Sequence, residues 1–155
     1  LVVVALTSGG CYRSHPTDDE LRLWFDKNRE HCATLASMFT EDLQCSLVTD
    51  KYTLRVMTPG ERRQPCLDER RWGVYRRLLA QTGLDGMRRK QGSDSIYLNV
   101  SVRGALLRGS IKGAMFSRTR PARLCESLRS GDVPLGQECV VPLGDPNWYL
   151  FLARQ

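Results

Sequence analysis

Two histidines, six cysteines and one serine–lysine pair are the side chains of this 155-residue chain that suit metal or covalent chemistry. His15 stands beside Pro16 in a polar stretch that reads as a tether, with nothing rigid to position it. His31 borders the apolar stripe of a helix, next to Cys32. Neighbours i and i+1 project about 100° apart on a helix, so they cannot serve as base and nucleophile, and Cys32 reads as a small packed hydrophobe. Neither histidine has a partner at metal-ligand spacing and no C-x-x-C occurs, so no metal site is expected. Gly109-Ser110-Ile111-Lys112-Gly113 brackets a serine and a lysine with glycines. It departs from G-x-S-x-G, from S-x-x-K and from the P-loop, and reads as the start of a strand with glycines where side chains do not fit. Asp18, Asp19 and Glu20 are explained by helix capping, and Asn99-Val100-Ser101 falls in a predicted strand. No set of base, positioned nucleophile and oxyanion donor emerges, so a non-enzyme without a cofactor is expected.

The elements that would position these residues are legible in the pattern. Thr17-Asp18-Asp19-Glu20 is a capping box, and Leu21, Phe25, Asn28, Cys32, Leu35 and Phe39 follow at spacings of three and four, predicting a helix about 22 residues long. Residues 45–57 alternate as a strand, with Tyr52, Leu54 and Val56 on one side and a turn at Asp50-Lys51. A second helix is predicted over 67–81, its Trp72, Tyr75, Leu78 and Leu79 opposed by arginines and Gly83 just past its end. Strands follow at 95–102, with Ile96, Leu98, Val100 and Val102 sharing a face, and at 110–116. Residues 121–130 read as a short helical turn, and strands at 138–143 and 148–153 flank a Gly144–Asn147 turn. Strands after helices give an α+β class: an antiparallel β-sheet with two main α-helices packed on one face.

The length and composition suit one domain over 17–155 and exclude collagen, linker arrays and solenoid repeats. Net charge is +6, concentrated between Arg55 and Lys90, where ten basic residues meet four acidic ones. This segment is either a solvated arginine-rich face or an attractor for an acidic protein partner. It lacks interleaved exposed aromatics, Trp72 and Tyr75 being read as the packed side of a helix, so nucleic acid is not expected. Residues 1–10, LVVVALTSGG, are uncharged and too short to span a bilayer. They have the form of the remnant of a lipoprotein signal peptide ahead of Cys11, followed by a tether over 11–16; a buried N-terminal strand is the alternative. Leu6 and Ser8 depart from the usual spacing before a lipidated cysteine. Export would permit disulfides. With Cys11 lipidated and Cys32 packed, Cys45, Cys66, Cys125 and Cys139 remain for at most two bridges. Cys125–Cys139 is the favoured candidate disulfide, weighed equally against two separate core cysteines.

The predicted helix over 18–38 with Leu21, Phe25, Arg29, Leu35 and Met38, the run Trp72-Gly73-Val74-Tyr75-Arg76-Arg77-Leu78-Leu79 ending in Thr82-Gly83-Leu84, the glycine-bracketed strand at 109–115, the Leu124–Leu128 turn and the closing Asn147-Trp148-Tyr149-Leu150 together resemble a group of small proteobacterial lipoproteins without known activity. Cys32 departs from the aromatic residue of that pattern. The resemblance implies a cell-envelope lipoprotein, held in the membrane by a lipid anchor on Cys11 and facing the periplasm. Together with the missing catalytic set, it leads to the expectation of a non-catalytic binding domain. The alternative is an immunity or inhibitor protein that neutralises a secreted toxin or lysozyme-like enzyme, which an acidic partner would suit.

Overall fold

Helix α1 (Asp18–Glu41) starts where the capping box places it: the Glu20 backbone N–H donates to Thr17 Oγ1 at 3.2 Å and the Thr17 N–H donates back to the Glu20 carboxylate at 2.7 Å. The computed structural model describes residues 14–55, 64–90, 92–104, 109–129 and 131–155. Leu21, Phe25, Asn28, Cys32, Leu35 and Phe39 are buried along one side of α1, as their spacing requires. Helix α2 (Glu69–Thr82) begins two residues later than its apolar pattern suggests, because Asp68 takes the cap by accepting from the Arg71 N–H. It ends at Gly83, whose φ of 71° lies in the left-handed region that glycine favours.

Seven strands form one antiparallel sheet: β1 (Cys45–Thr49), β2 (Thr53–Arg55), β3 (Gly86–Arg89), β4 (Ile96–Arg103), β5 (Ser110–Phe116), β6 (Glu138–Pro142) and β7 (Trp148–Arg154), in the order β2-β1-β3-β4-β5-β7-β6. Both helices pack on the same face, over Val48, Met87, Ile96, Leu98, Ala114 and Trp148, so the class is α+β. Indole N–H groups tie the helices in place: Trp24 donates to the Thr82 carbonyl at 2.7 Å and Trp72 to the Thr49 carbonyl at 2.8 Å. At the end of α1, the Asp42 carboxylate accepts from Tyr75 Oη at 2.7 Å and from Arg71 Nε at 3.0 Å.

Three local expectations are corrected. Strand β3 carries too little apolar alternation, in Gly-Met-Arg-Arg, to be read from the sequence. In β2 it is Thr53 that turns inward, accepting from the Cys66 N–H at 3.1 Å, while Tyr52 is half exposed; the local hydrogen bond beside the Cys45–Cys66 disulfide overrides the expected apolar side. Val56 lies outside the described residues. Residues 121–129 form no helix: Leu124 bridges Val140 in parallel, and the Cys125 N–H donates to the Val140 carbonyl at 2.9 Å. The Cys125–Cys139 disulfide, with Cα atoms 5.9 Å apart, holds this segment along the outer edge of β6, an edge that would otherwise be unpaired.

The glycine-bracketed strand has a steric reason. Register slips between Asn99 and Ser101, so Val102, expected on the apolar face, is half exposed beyond the bulge. The bulging β4 backbone approaches Gly113 so closely that a Cβ there would sit 2.0 Å from the Leu98 carbonyl oxygen and 2.9 Å from the Val100 nitrogen. Gly73, inside α2, has open space around it. Gly113→Ala is therefore expected to cost about 3 kcal/mol or more, whereas Gly73→Ala should stabilise by about 0.5–1 kcal/mol. Urea midpoints of the two variants, moving in opposite directions, check this.

Candidate functional site

Two polar constellations stand out, one at each end of the sheet's chemistry. The first is built where the chain enters the fold. Ser101 and Arg103 on β4 face Lys112 and Ser110 on β5 in register, and the segment Ser14–Asp18 lies across them. His15 Nδ1 is 3.0 Å from Ser101 Oγ and Nε2 is 2.6 Å from Ser110 Oγ. The ammonium of Lys112, almost fully buried, donates to the Pro16 carbonyl at 2.8 Å and pairs with the Asp18 carboxylate at 2.8 Å. The second Asp18 oxygen accepts from the Leu128 N–H, also at 2.8 Å. His15 is thus not held loosely in a tether. Sequence spacing could not show this, because its partners lie 86 and 95 residues away.

Burial pulls the His15 pKa down to about 4, helped by the neighbouring Arg103 and Lys112 cations. The ring is neutral near pH 7, so one nitrogen donates to one serine while the other accepts from the second. Ser110 lies at the distance of a nucleophile from its base. Of the nearby carboxylates, Asp18 is committed to Lys112 and Glu20 to the Thr17 cap, and a base held so low has little driving force to take a serine proton near neutrality. What the geometry does is clip residues 14–18 onto β4 and β5.

The second constellation occupies the helix-free face. Tyr97, Met115, Val140, Phe151 and Ala153 form a separate buried cluster there. Tyr97 meets Phe151 edge-on at 5.0 Å, and the Arg88 guanidinium covers both rings, 4.3 Å from Tyr97 and 5.7 Å from Phe151. Strands β4 and β6 are three spacings apart, and Glu138 lies four positions along β6 from Pro142, the residue level with Tyr97, so a flat sheet would hold the two Cα atoms about 20 Å apart, beyond the reach of both side chains. Yet Tyr97 Oη donates to the Glu138 carboxylate at 3.0 Å, and Lys90 approaches the same group to 3.6 Å. The sheet therefore curls toward this face and encloses a cleft of about 650 Å³ between Lys90, Tyr97, Ser117, Arg120, Arg123 and Glu138. Burial and the adjoining carboxylate push the Tyr97 phenol up, and burial pulls the Arg88 guanidinium down. Apart from Arg88 and Lys90, which fall in the basic segment, none of these residues was singled out from the sequence. The available signal was Tyr97, an aromatic residue on the strand side opposite Ile96 and Leu98, where a solvated face would carry polar groups.

The remaining sequence candidates are dispersed. His31 is exposed, while Cys32 is fully buried and free, its thiol pushed up to about 12 by burial. Cys11 lies outside the described residues. Much of the basic segment is engaged internally: Arg71 with Asp42, Arg76 with Glu69 and over Trp72, Arg89 with the Phe39 carbonyl and ring. Arg62 and Arg63 also fall outside the described residues. Among the described residues no cluster of three metal-ligating side chains forms, and no helix is long and apolar enough to cross a membrane.

The clip should respond to pH in a definite direction. The folded pKa of His15 lies below its unfolded value of 6.5, so the unfolded chain binds the extra proton first as pH falls. The contribution of the clip is complete above about pH 6.5 and declines until about pH 4. Urea midpoints measured across that window should converge for the native chain and His15→Gln as the solution is acidified. A constant gap between them would contradict the clip.

Compared with known proteins, the chain matches no protein-family model, no curated protein and no solved structure.

Proposed function

We propose that the chain is a cell-envelope lipoprotein, anchored through a lipidated Cys11 and facing the periplasm, whose folded domain works by binding rather than by catalysis. The observation that carries this reading is the pair of disulfides, Cys45–Cys66 and Cys125–Cys139, with Cα separations of 5.2 and 5.9 Å. Such bonds persist in oxidising compartments, and the fifth described cysteine, Cys32, is sealed in the core where it cannot exchange with them. Each bridge closes a loop of about 15–22 residues, for which the chain-entropy account gives roughly 3 kcal/mol. The clip at His15 and Lys112 complements an anchor at Cys11. Only residues 12 and 13 would lie between the lipidated cysteine and the clipped Ser14, a reach of about 10 Å from Cys11 to Ser14 when extended. Binding is favoured by the curled, cleft-bearing face and by the absence of a carboxylate on His15 among the described residues.

A second reading, an inhibitor or immunity protein for a secreted toxin or lysozyme-like enzyme, draws on α2. Arg70 and Arg77 are exposed there and would steer an acidic protein partner.

Expressing the complete reading frame with labelled fatty acid, beside its Cys11→Ser variant, tests the anchor. The native chain should fractionate with membranes and carry label, and the variant should do neither. Equal solubility without label would overturn lipidation. Alkylation of the exported protein without reduction should leave the 45/66 and 125/139 peptides linked, with Cys32 reacting only after unfolding. Free thiols at all four positions would place the protein in a reducing compartment.

A further inference from the structure

The cleft on the helix-free face has an apolar floor and a surplus of positive charge. Tyr97, Met115 and Val140 form the floor, and all three are buried side chains of the sheet itself. Lys90, Arg120 and Arg123 stand at the rim, exposed. The two carboxylates present are already committed: Glu138 accepts from Tyr97 and pairs with Lys90, while Asp94 accepts from Thr119 Oγ1 at 3.1 Å and lies 3.4 Å from Ser117 Oγ. Arg123 donates to the Gln137 side chain, and Arg120 has no partner among the described residues.

Beside the floor, stacked on the Tyr97 ring but not itself lining the cleft, Arg88 adds a fourth cation. Its Nε and Nη2, the two donors on the edge that engages a carboxylate or phosphate side-on, are buried and meet no acceptor among the described residues. The charge is offset at contact by the faces of Tyr97 and Phe151 and, at longer range, by the Glu138 carboxylate, which Lys90 and Tyr97 also share. Against the low-dielectric floor, such a partly compensated cation adds positive potential to the adjoining space. At about 650 Å³ the cleft is of the size that takes small organic ligands.

We propose that this cleft binds a small amphipathic anion, a carboxylate or phosphate on an apolar body, with the body over Tyr97, Met115 and Val140 and the acid group among Lys90, Arg120 and Arg123. Arg88 is a positioning residue that acts through the Tyr97 ring. The inference deepens the reading of the domain as a binding module and names its ligand class. It is independent of the lipid anchor, so a chain that is lipidated but binds no anion overturns this inference alone.

The test is calorimetric titration of the full-length Cys11→Ser chain with octanoate, octyl phosphate and octanol at physiological salt. At least one of the two anions should bind with a submillimolar Kd, and octanol at least tenfold more weakly. Binding of octanoate alone identifies a fatty-acid-like ligand, and binding of octyl phosphate alone a phospholipid-like one. Arg120→Ser and Arg88→Met should each weaken the anion by about tenfold, while Arg77→Ser on α2 should leave it unchanged. Arg120 is exposed at the rim, so its variant keeps the test valid even if Arg88→Met fails to fold. No binding of either anion, octanol binding as tightly as they do, or an Arg120→Ser chain with unchanged affinity would overturn the proposal.

Discussion

A seven-stranded sheet with two helices has one face more than its helices can cover, and the rest of the structure follows from how that second face is kept dry. A flat sheet would leave Tyr97, Met115, Val140 and Phe151 in water. Curling brings β6 over the face, and the Tyr97–Glu138 hydrogen bond joins residues whose Cα atoms a flat sheet would hold about 20 Å apart. Arg88 completes the cover by laying its guanidinium on two rings, trading hydration for cation–π contact. The result is a face dry at its centre and polar at its rim, which is the general form of a small-molecule site.

The same curl explains the sheet's irregularities. The bulge at Asn99–Ser101 bends β4, and Gly113 accepts the displaced backbone where any Cβ would collide. The Cys125–Cys139 bond pulls the 121–129 segment against β6 and protects the edge that the curl exposes. At the other margin the Cys45–Cys66 bond ties β1 to the segment that leads into α2. Two covalent ties at opposite margins suit a domain whose second face has no helical layer among the described residues.

The clip at the chain start has a different role. Lys112 is an ammonium taken almost wholly out of water, sustained by one carboxylate and one backbone carbonyl, and such a group is costly to leave unpaired. That cost makes the position of residues 14–18 specific: moving the segment away strands a buried charge. His15 adds two hydroxyl contacts whose strength depends on the ring staying neutral. An anchor at Cys11 would transmit this fixed geometry to the orientation of the domain at a membrane.

The sequence by itself determined the elements whose signals are local. The capping box at Thr17, the three-and-four spacing from Leu21 to Phe39, the glycine after α2 and the alternation of β4 made both helices and the α+β class readable, because each depends on residues within a few turns of one another. It also singled out Cys125 and Cys139 as a candidate bridge and Cys32 as a packed thiol. Tertiary structure alone decided the sites. His15 meets Ser101 and Ser110 across 86 and 95 residues, and Arg88, Tyr97 and Glu138 meet only because the sheet curls. The arginines of the basic segment, alike in sequence, part company for the same reason. Arg71 and Arg89 are drawn into contacts with α1, while Arg70 and Arg77 stay in solvent. Charge and periodicity report what a residue is and which way it points along its own element. Which residues converge is set by long-range packing, which no local pattern encodes.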